Sequence, residues 1–236
     1  MRRLLPALLL VLALALAACG DDDGGGSSDS AATGTETSAE TTSGDEAAEA
    51  ETGCKEVPPA EARADGDLKK PTEKLDASKT YTAVIETNCG TIEFELDVKR
   101  APKTAASFAY LAREGFFDGL GFHRIVPGFV IQGGDPLGTG MGGAGYQVEE
   151  APPEDLRYER GVVAMAKGGA EPAGTSGSQF FIVTGDDAGL PPDYALVGKV
   201  TKGDDVVDTI ASVPTDPSTE QPTAPVVMSK VTIRES

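Results

Sequence analysis

The sequence of 236 residues contains a single histidine, His123, and no tryptophan. One histidine excludes a zinc centre built from a histidine cluster, and the cysteines are too far apart in sequence for a Cys-x-x-Cys clip. A Ser-His-Asp triad would have to use His123, but in an extended strand His123 and its neighbour Arg124 point to opposite faces. We therefore interpret His123 as a packed or hydrogen-bonded strand residue rather than a catalytic base. The sequence predicts no metal and no cofactor.

Basic residues are also scarce. The chain has 20 Lys and Arg against 38 Asp and Glu, which gives a formal net charge of −18. Phosphate contacts require clustered Lys and Arg, so the composition excludes nucleic acid as a partner. The same deficit means that any attachment to a membrane must come from lipid and not from a basic surface.

Long apolar runs are absent after residue 18. The run from Leu4 to Ala18 follows two arginines and is shorter than the ~20 residues of a spanning helix, but it fits a secretory signal peptide. Residues 16–19 read Leu-Ala-Ala-Cys and resemble the bacterial lipobox, in which the cysteine is lipidated and becomes the mature N-terminus. We therefore predict a lipoprotein signal peptide over residues 1–18 and an extracytoplasmic protein anchored to the bacterial cell membrane through lipid on Cys19. An ordinary signal peptide cut near Ala18 is the alternative.

The next part of the chain lacks the residues that build a core. Residues 20–51 contain no aromatic residue and consist of Gly, Ser, Thr, Ala, Asp and Glu. Such a segment cannot bury enough surface to offset the entropy of ordering. We predict a disordered acidic tether and irregular lead-in over residues 19–78. Export favours a disulfide between Cys54 and Cys89, with two unpaired cysteines as the alternative.

The remaining residues, 79–236, are predicted to form one domain. Alternating apolar residues predict a hairpin over residues 81–97, and Pro102 opens an amphipathic helix. The segment 122–135, FHRIVPGFVIQGGD, predicts a second hairpin around Pro127 and Gly128. Further strands and a second helix complete an all-β dominated fold, predicted as a closed eight-stranded antiparallel β-barrel capped by two α-helices. The additional strands are predicted at 161–166, 179–184, 196–201 and 226–233, and the second helix begins near residue 204.

Polar side chains on apolar strands mark the candidate site. If the second hairpin turns at Pro127 and Gly128, Arg124 lies opposite Ile131 or Gln132. Gln179 comes from another apolar strand, where Phe181 shares its face. These residues provide a hydrophobic floor with fixed hydrogen-bonding groups and no strong base or nucleophile. Such a site suits a reaction without covalent or proton chemistry, of which rotation about a prolyl peptide bond is one.

Three motifs resemble the cyclophilin-type peptidyl-prolyl cis-trans isomerases. They are FHRIVPGFVIQGGD, GVVAMAK at 161–167 and TSGSQFF at 175–181, and they occur in the family's order. The resemblance covers residues 79–235 and implies the family's eight-stranded barrel with two helices. It also implies an isomerase that acts on X-Pro bonds without a covalent intermediate.

The resemblance assigns roles to individual residues. Arg124 aligns with the family's catalytic arginine, Gln132 with the glutamine that orients it, and Phe129 with a pocket phenylalanine. The pocket wall departs from the family pattern, because Lys167, Tyr194 and Gly189 stand where Asn, His and often Trp are usual. The remaining substrate-binding positions implied by the resemblance are Val130, Ala166, Lys167, Gln179, Phe181, Leu190 and Tyr194.

These interpretations predict a monomeric isomerase whose partners are proline-containing segments of unfolded or exported proteins. A proline-peptide-binding scaffold that has lost turnover is the first alternative. A substrate-binding lipoprotein for transport is the second, but it requires a two-lobed α/β pattern that the sequence lacks.

Overall fold

The computed structural model of the protein describes residues 53–236. The predicted signal peptide, the lipid attachment at Cys19 and the tether up to residue 52 lie outside the described residues. Between residues 53 and 236 no helix is both long and apolar enough to cross a membrane.

Strands dominate the described part of the chain, and two helices accompany them. Eight of the strands form one sheet in the order β10-β1-β2-β9-β6-β8-β4-β3. The pairings that define this sheet are antiparallel. The elements are β1 Tyr81–Thr87, β2 Gly90–Leu96, α1 Pro102–Arg113, β3 Phe122–Val126, β4 Val130–Gly133, β5 Val148–Glu149, β6 Val162–Met165, β7 Thr175–Ser176, β8 Phe180–Val183, β9 Leu196–Lys202, α2 Asp204–Ala211 and β10 Met228–Glu235.

The sheet is an open half-barrel, so the prediction of a closed barrel was wrong. Its edge strands, β3 and β10, meet only near their ends, where the Phe122 N–H donates to the Val226 carbonyl (2.9 Å) and the Met228 N–H to the Leu120 carbonyl (2.8 Å). Further along β3 the Ile125 N–H donates to the Glu220 carbonyl (2.9 Å), which belongs to the loop before β10. Because this loop occupies the edge of β3, the ladder cannot continue into β10.

A small second sheet is also absent from the sequence-based prediction. Strands β5 and β7 form a two-stranded antiparallel ribbon in which Val148 pairs with Ser176 and Glu149 with Thr175. The sequence predicts only loop on either side of this pairing. Strands of two residues are too short to show an alternating pattern, and their pairing depends on the tertiary fold.

Aromatic side chains fill the inner face of the half-barrel. The rings of Phe108 and Phe117 stack with centroids 4.9 Å apart, and the Phe180 ring meets Phe108 edge-to-face at 5.4 Å. Phe108 lies on α1, which begins with Pro102 and has no side-chain cap of its own. The carboxylate of Glu150 supplies the cap, because it accepts the N–H groups of Lys103 (3.1 Å) and Thr104 (2.7 Å). This packing fixes α1 across one end of the sheet.

A second, smaller cluster lies on the other face of the same strands. Along β8, Phe180 and Ile182 belong to the inner core, whereas Phe181 and Val183 belong to the second cluster. The two-residue period of a strand produces this division. The second cluster forms the floor of the candidate site.

The lead-in from Cys54 to residue 78, here called the strap, follows an irregular path along the domain. Its first residue, Cys54, forms a disulfide with Cys89 in the β1–β2 turn. Further on, the Arg63 N–H donates to the Pro136 carbonyl (2.7 Å) and the Gly66 N–H to the Gly143 carbonyl (2.8 Å). The strap is therefore held at both the turn and the glycine-rich loop after β4.

Candidate active site

Arg124 and Gln132 lie opposite each other on β3 and β4. The sequence had left Ile131 and Gln132 as alternative partners, and the structure pairs Arg124 with Gln132. A register shift between Phe122 and Arg124 marks a β-bulge at His123. The bulge lets Phe122 and Ile125 both enter the inner core while Arg124 stays on the outer face.

A chain of hydrogen bonds extends from Arg124 across the sheet. The Arg124 Nη1 group donates to Gln132 Oε1 (3.3 Å), and Gln132 Nε2 donates to Gln179 Oε1 (3.0 Å). Gln179 Nε2 in turn donates to the carbonyl of Gly142 (2.9 Å). The side-chain amides are thereby fixed in one orientation, because each donates with its nitrogen and accepts with its oxygen.

A residue that the sequence analysis did not identify completes this chain. Glu220 Oε2 lies 2.5 Å from Arg124 Nε, in an ion pair of partly exposed side chains. Glu220 is 96 positions away in sequence from Arg124. We call Glu220, Arg124, Gln132, Gln179 and the Gly142 carbonyl the polar row.

The floor beside the polar row is apolar. Phe181 is the neighbour of Gln132 in the β4–β8 ladder and of Ala164 in the β6–β8 ladder. Val130 is buried in the same cluster, and the more exposed apolar side chains that pack against it include four more of the predicted pocket residues. These are Phe129, Ala166, Leu190 and Tyr194.

Lys167 lies on a loop at the border of the site and has a role that the sequence did not predict. Its ammonium pairs with Asp193 Oδ2 (2.7 Å), donates to the Glu171 carbonyl (3.1 Å) and lies 5.5 Å from the centre of the Tyr194 ring. The Lys167 side chain is only 4% exposed. The two departures from the family pattern, Lys167 and Tyr194, therefore contact each other. We call these residues, Lys167, Asp193 and Tyr194, the wall, together with Tyr158, whose hydroxyl is hydrogen-bonded to the backbone of Tyr194.

Tyr158 is the second residue that sequence reasoning missed. Its hydroxyl donates to the Tyr194 carbonyl (2.6 Å) and accepts the Tyr194 N–H (2.9 Å). Its ring also packs beneath Phe181 and Tyr194, with centroids 6.2 and 6.0 Å away. Burial raises the pKa of Tyr158 to about 12, so the hydroxyl stays protonated and can donate.

A groove of about 660 Å³ adjoins the polar row. It brings together Gln132, Gln179, Ala166 and Lys167, together with the glycine-rich loop around Gly142. The lining does not include Arg124, Leu190 or Gly189, nor the floor residues Phe129, Val130, Phe181 and Tyr194. Gly189 has a positive φ of 64°. The groove gives an extended peptide space next to Gln132 and Gln179.

His123 lies away from this groove. Both of its ring nitrogens are buried without a hydrogen-bond partner within residues 53–236, so it is packed and not hydrogen-bonded. It lines a separate cavity of about 360 Å³ with Asp135 and the strap. Burial lowers the pKa of His123, and the carboxylate of Asp135 opposes that shift. Because the imidazole of His123 lies outside the groove, it is not placed to act as a base on a peptide near Arg124.

The site therefore offers a cation, two oriented amides and an aromatic floor. The comparison with known proteins places these features in a family. A protein-family model described as "Cyclophilin type peptidyl-prolyl cis-trans isomerase/CLD" matches residues 82–233, which is more than half of the chain. The chain belongs to the cyclophilin family. That confirms the predicted family and its enzyme class, peptidyl-prolyl cis-trans isomerase.

Individual cyclophilins agree with this placement. "Probable peptidyl-prolyl cis-trans isomerase A" of Mycobacterium leprae is 39% identical over 170 residues, which cover 64% of this chain and 91% of that protein. "Peptidyl-prolyl cis-trans isomerase-like 2" of Cryptococcus neoformans is 37% identical over 174 residues, but the match spans only 30% of that longer protein. A crystal structure of a Cryptosporidium parvum cyclophilin, described as in the presence of the dipeptide Ala-Pro, has a TM-score of 0.61 and 33% identity. The match covers 65% of this chain and 98% of the Cryptosporidium protein.

Proposed function

We propose that this protein accelerates the cis-trans isomerisation of X-Pro bonds in exported proteins, with Arg124 as the catalytic cation. The observation that carries the proposal is the position of Arg124. It is held by Gln132 beside a floor of Phe129, Val130 and Phe181. The carboxylate that lies against it, Glu220, is paired with its guanidinium.

The chemistry follows from the electronic structure of the amide. Delocalisation of the nitrogen lone pair keeps the peptide bond planar and sets a rotational barrier of ~18–20 kcal/mol, so X-Pro bonds isomerise over tens of seconds unaided. In the twisted transition state the prolyl nitrogen is pyramidal and its lone pair is a better hydrogen-bond acceptor. A guanidinium directed at that nitrogen stabilises the transition state more than either planar ground state, which is the requirement for catalysis.

Arginine suits this task because its guanidinium stays charged and presents several donors in a fixed plane. We propose that Phe129, Val130, Phe181 and Leu190 hold the proline ring, with Tyr194 closing one side. Gln132 and Gln179 and the backbone of residues 166–167 hold the flanking peptide. The Ala-Pro dipeptide that accompanies the Cryptosporidium cyclophilin supports a proline-containing ligand for this fold.

The test of the isomerase is a protease-coupled or NMR exchange assay on an Ala-Pro test peptide, using the full chain and its Arg124→Ala variant. We expect acceleration by the wild type and loss of most of that rate in the variant. Equal rates for the two proteins would overturn the role of Arg124. Peptide binding with no acceleration by either protein would favour the scaffold alternative.

We also propose that the protein acts outside the cytoplasm as a lipid-anchored monomer. The support is the lipobox-like sequence ending in Cys19 and the acidic composition of residues 20–51. In a bacterial host, Cys19→Ser should move the protein from the membrane fraction to the soluble fraction, whereas Cys89→Ser should leave it in the membrane. An unchanged distribution of the Cys19 variant would rule out this anchor.

A further inference from the structure

Glu220 has an unusual backbone conformation. Among residues 53–236 it is the one non-glycine residue with a positive φ, 60°. L-residues with a side chain rarely adopt this conformation because Cβ crowds the backbone. Such a conformation persists where the surrounding structure enforces it, and it often occurs at functional sites.

The surrounding hydrogen bonds do enforce it. The Glu220 carbonyl accepts the N–H of Ile125 on β3 (2.9 Å), and the Glu220 N–H donates to the Asp216 carbonyl (2.8 Å). The Asp216 carboxylate accepts the N–H groups of Ser218 (2.7 Å) and Thr219 (3.1 Å), which closes the turn before Glu220. The Ser218 hydroxyl, together with these bonds, lowers the pKa of Asp216. The backbone of Glu220 is thereby fixed to the strand that carries Arg124.

This fixed backbone places the Glu220 carboxylate against one particular atom of the guanidinium. Oε2 lies 2.5 Å from Nε, while Nη1 donates to Gln132. The Nη2 group of Arg124 has no hydrogen-bond partner among the described residues. Two partners at different edges fix the plane of the guanidinium, and Nη2 is left for a ligand.

We propose that Glu220 is a positioning residue for Arg124, which sets the plane in which the guanidinium meets the prolyl nitrogen. The inference rests on the proposed role of Arg124 in isomerisation. An exposed ion pair contributes little to stability. The side chains of Arg124 and Glu220 are 33% and 44% exposed. The effect of Glu220 should therefore appear in turnover and not in the melting temperature.

Three substitutions separate positioning from charge and from folding. Glu220→Gln keeps an acceptor for Nε, and we expect kcat within about threefold of the wild type. Glu220→Ala removes the acceptor, and we expect kcat to fall about tenfold with KM changed less than twofold. Glu220→Gly removes the acceptor but suits the positive φ, so we expect the low kcat of the Ala variant with an unchanged or higher melting temperature.

Asp208→Ala is the matched control, because Asp208 on α2 forms a comparably exposed ion pair with Arg160, and we expect no change in kcat. A double-mutant cycle adds a second test, since Glu220→Ala should have no effect on the residual rate of Arg124→Ala. A kcat for Glu220→Ala within twofold of the wild type, or an equal loss in the Arg124→Ala background, would overturn the proposal.

NMR of the Arg124 Nε–H signal tests positioning independently of catalysis. We expect one sharp, slowly exchanging signal in the wild type and in Glu220→Gln, and a broadened or absent signal in Glu220→Ala. If the wild type does not accelerate isomerisation, the proposed function fails, but this signal still decides whether Glu220 holds the arginine. A sharp signal at the same position in all three proteins would overturn the positioning role.

Discussion

The polar row and the wall form two parts of one site and are held in different ways. In the row, Arg124, Gln132 and Gln179 belong to the central sheet or its immediate margin and are joined by side-chain hydrogen bonds. In the wall, Lys167 and Tyr194 lie on loops, and a buried ammonium and a buried hydroxyl hold them together.

The difference separates the chemistry from the fit of the substrate. Within the row, the sequence motifs matched Arg124, Gln132 and Gln179 to the family pattern, and these residues supply the cation and the oriented amides. The wall departs from that pattern at Lys167 and Tyr194, yet its residues form a set of mutual contacts. We therefore expect changes in the row to lower kcat and changes in the wall to alter KM or stability.

The largest effect is expected from Arg124→Lys. Lysine keeps the charge but lacks the planar fork that contacts Glu220 and Gln132 together. We expect a fall in kcat/KM of ten- to a hundredfold, or ~1.4–2.7 kcal/mol of transition-state stabilisation, mainly in kcat. Steady-state kinetics on the Ala-Pro peptide measures it, with Arg160→Lys as the control. Retention of full kcat would show that charge alone is sufficient.

A second prediction concerns the hydroxyl that supports the wall. Tyr158→Phe leaves the Tyr194 carbonyl and N–H without their partner, and we expect a loss of ~1–3 kcal/mol in the free energy of unfolding. Urea unfolding measures it. Tyr81→Phe is the control, because the Tyr81 hydroxyl accepts one longer hydrogen bond from the Asp76 N–H (3.2 Å). Equal losses in the two variants would contradict the special role of Tyr158.

The third prediction tests the wall directly. Lys167→Met keeps the apolar stem but removes the ammonium that joins Asp193 to the Tyr194 ring. We expect KM for the proline peptide to rise severalfold while kcat changes less than twofold. Lys199→Met, at an exposed position on β9, should change neither constant. A fall in kcat at constant KM would mean that the wall takes part in the chemistry.

The smallest effect is expected on the far side of the hairpin, at His123. Burial lowers the pKa of His123 below its usual value of ~6.5, so the unfolded chain takes up a proton that the folded chain does not. Stability should therefore fall as the pH drops below ~6.5, until the folded pKa is reached. Urea unfolding at pH 7.5 and pH 5 should give a smaller pH dependence for His123→Gln than for the wild type. An identical pH dependence would exclude His123 as the source.

The sequence was most informative where a pattern is local. The β3–β4 hairpin was predicted because two apolar runs flank a Pro-Gly turn, and its register was reduced to two choices. The open half-barrel was not predicted, because the Ile125–Glu220 hydrogen bond holds a loop against the edge of β3, where a closed barrel would need a strand. That bond joins residues far apart in the chain.

The same reason explains the missed site residues. Glu220 and Tyr158 were not identified because nothing near them in sequence marks them. Their importance comes from contacts 96 positions away in the first case and 36 in the second. The Lys167–Tyr194 contact was within reach of sequence reasoning, since both residues were recognised as departures from one family pattern. Two departures in one pocket are a signal that the residues compensate for each other.

The disulfide of the strap has a mechanical consequence. Cys54 is joined to Cys89 in the β1–β2 turn, so a force applied to the chain ahead of Cys54 enters the sheet at that turn. The strap's own hydrogen bonds to Pro136 and Gly143 carry none of that load while the bond is intact. Reduction would transfer the load first to the two hydrogen bonds between Lys55 and Asn88, and then to the bonds with Pro136 and Gly143. If those bonds broke, each residue of the strap that was released would add ~3.3–3.6 Å to the reach of the chain between residue 54 and the domain. With the proposed lipid on Cys19, the domain would then act farther from the membrane.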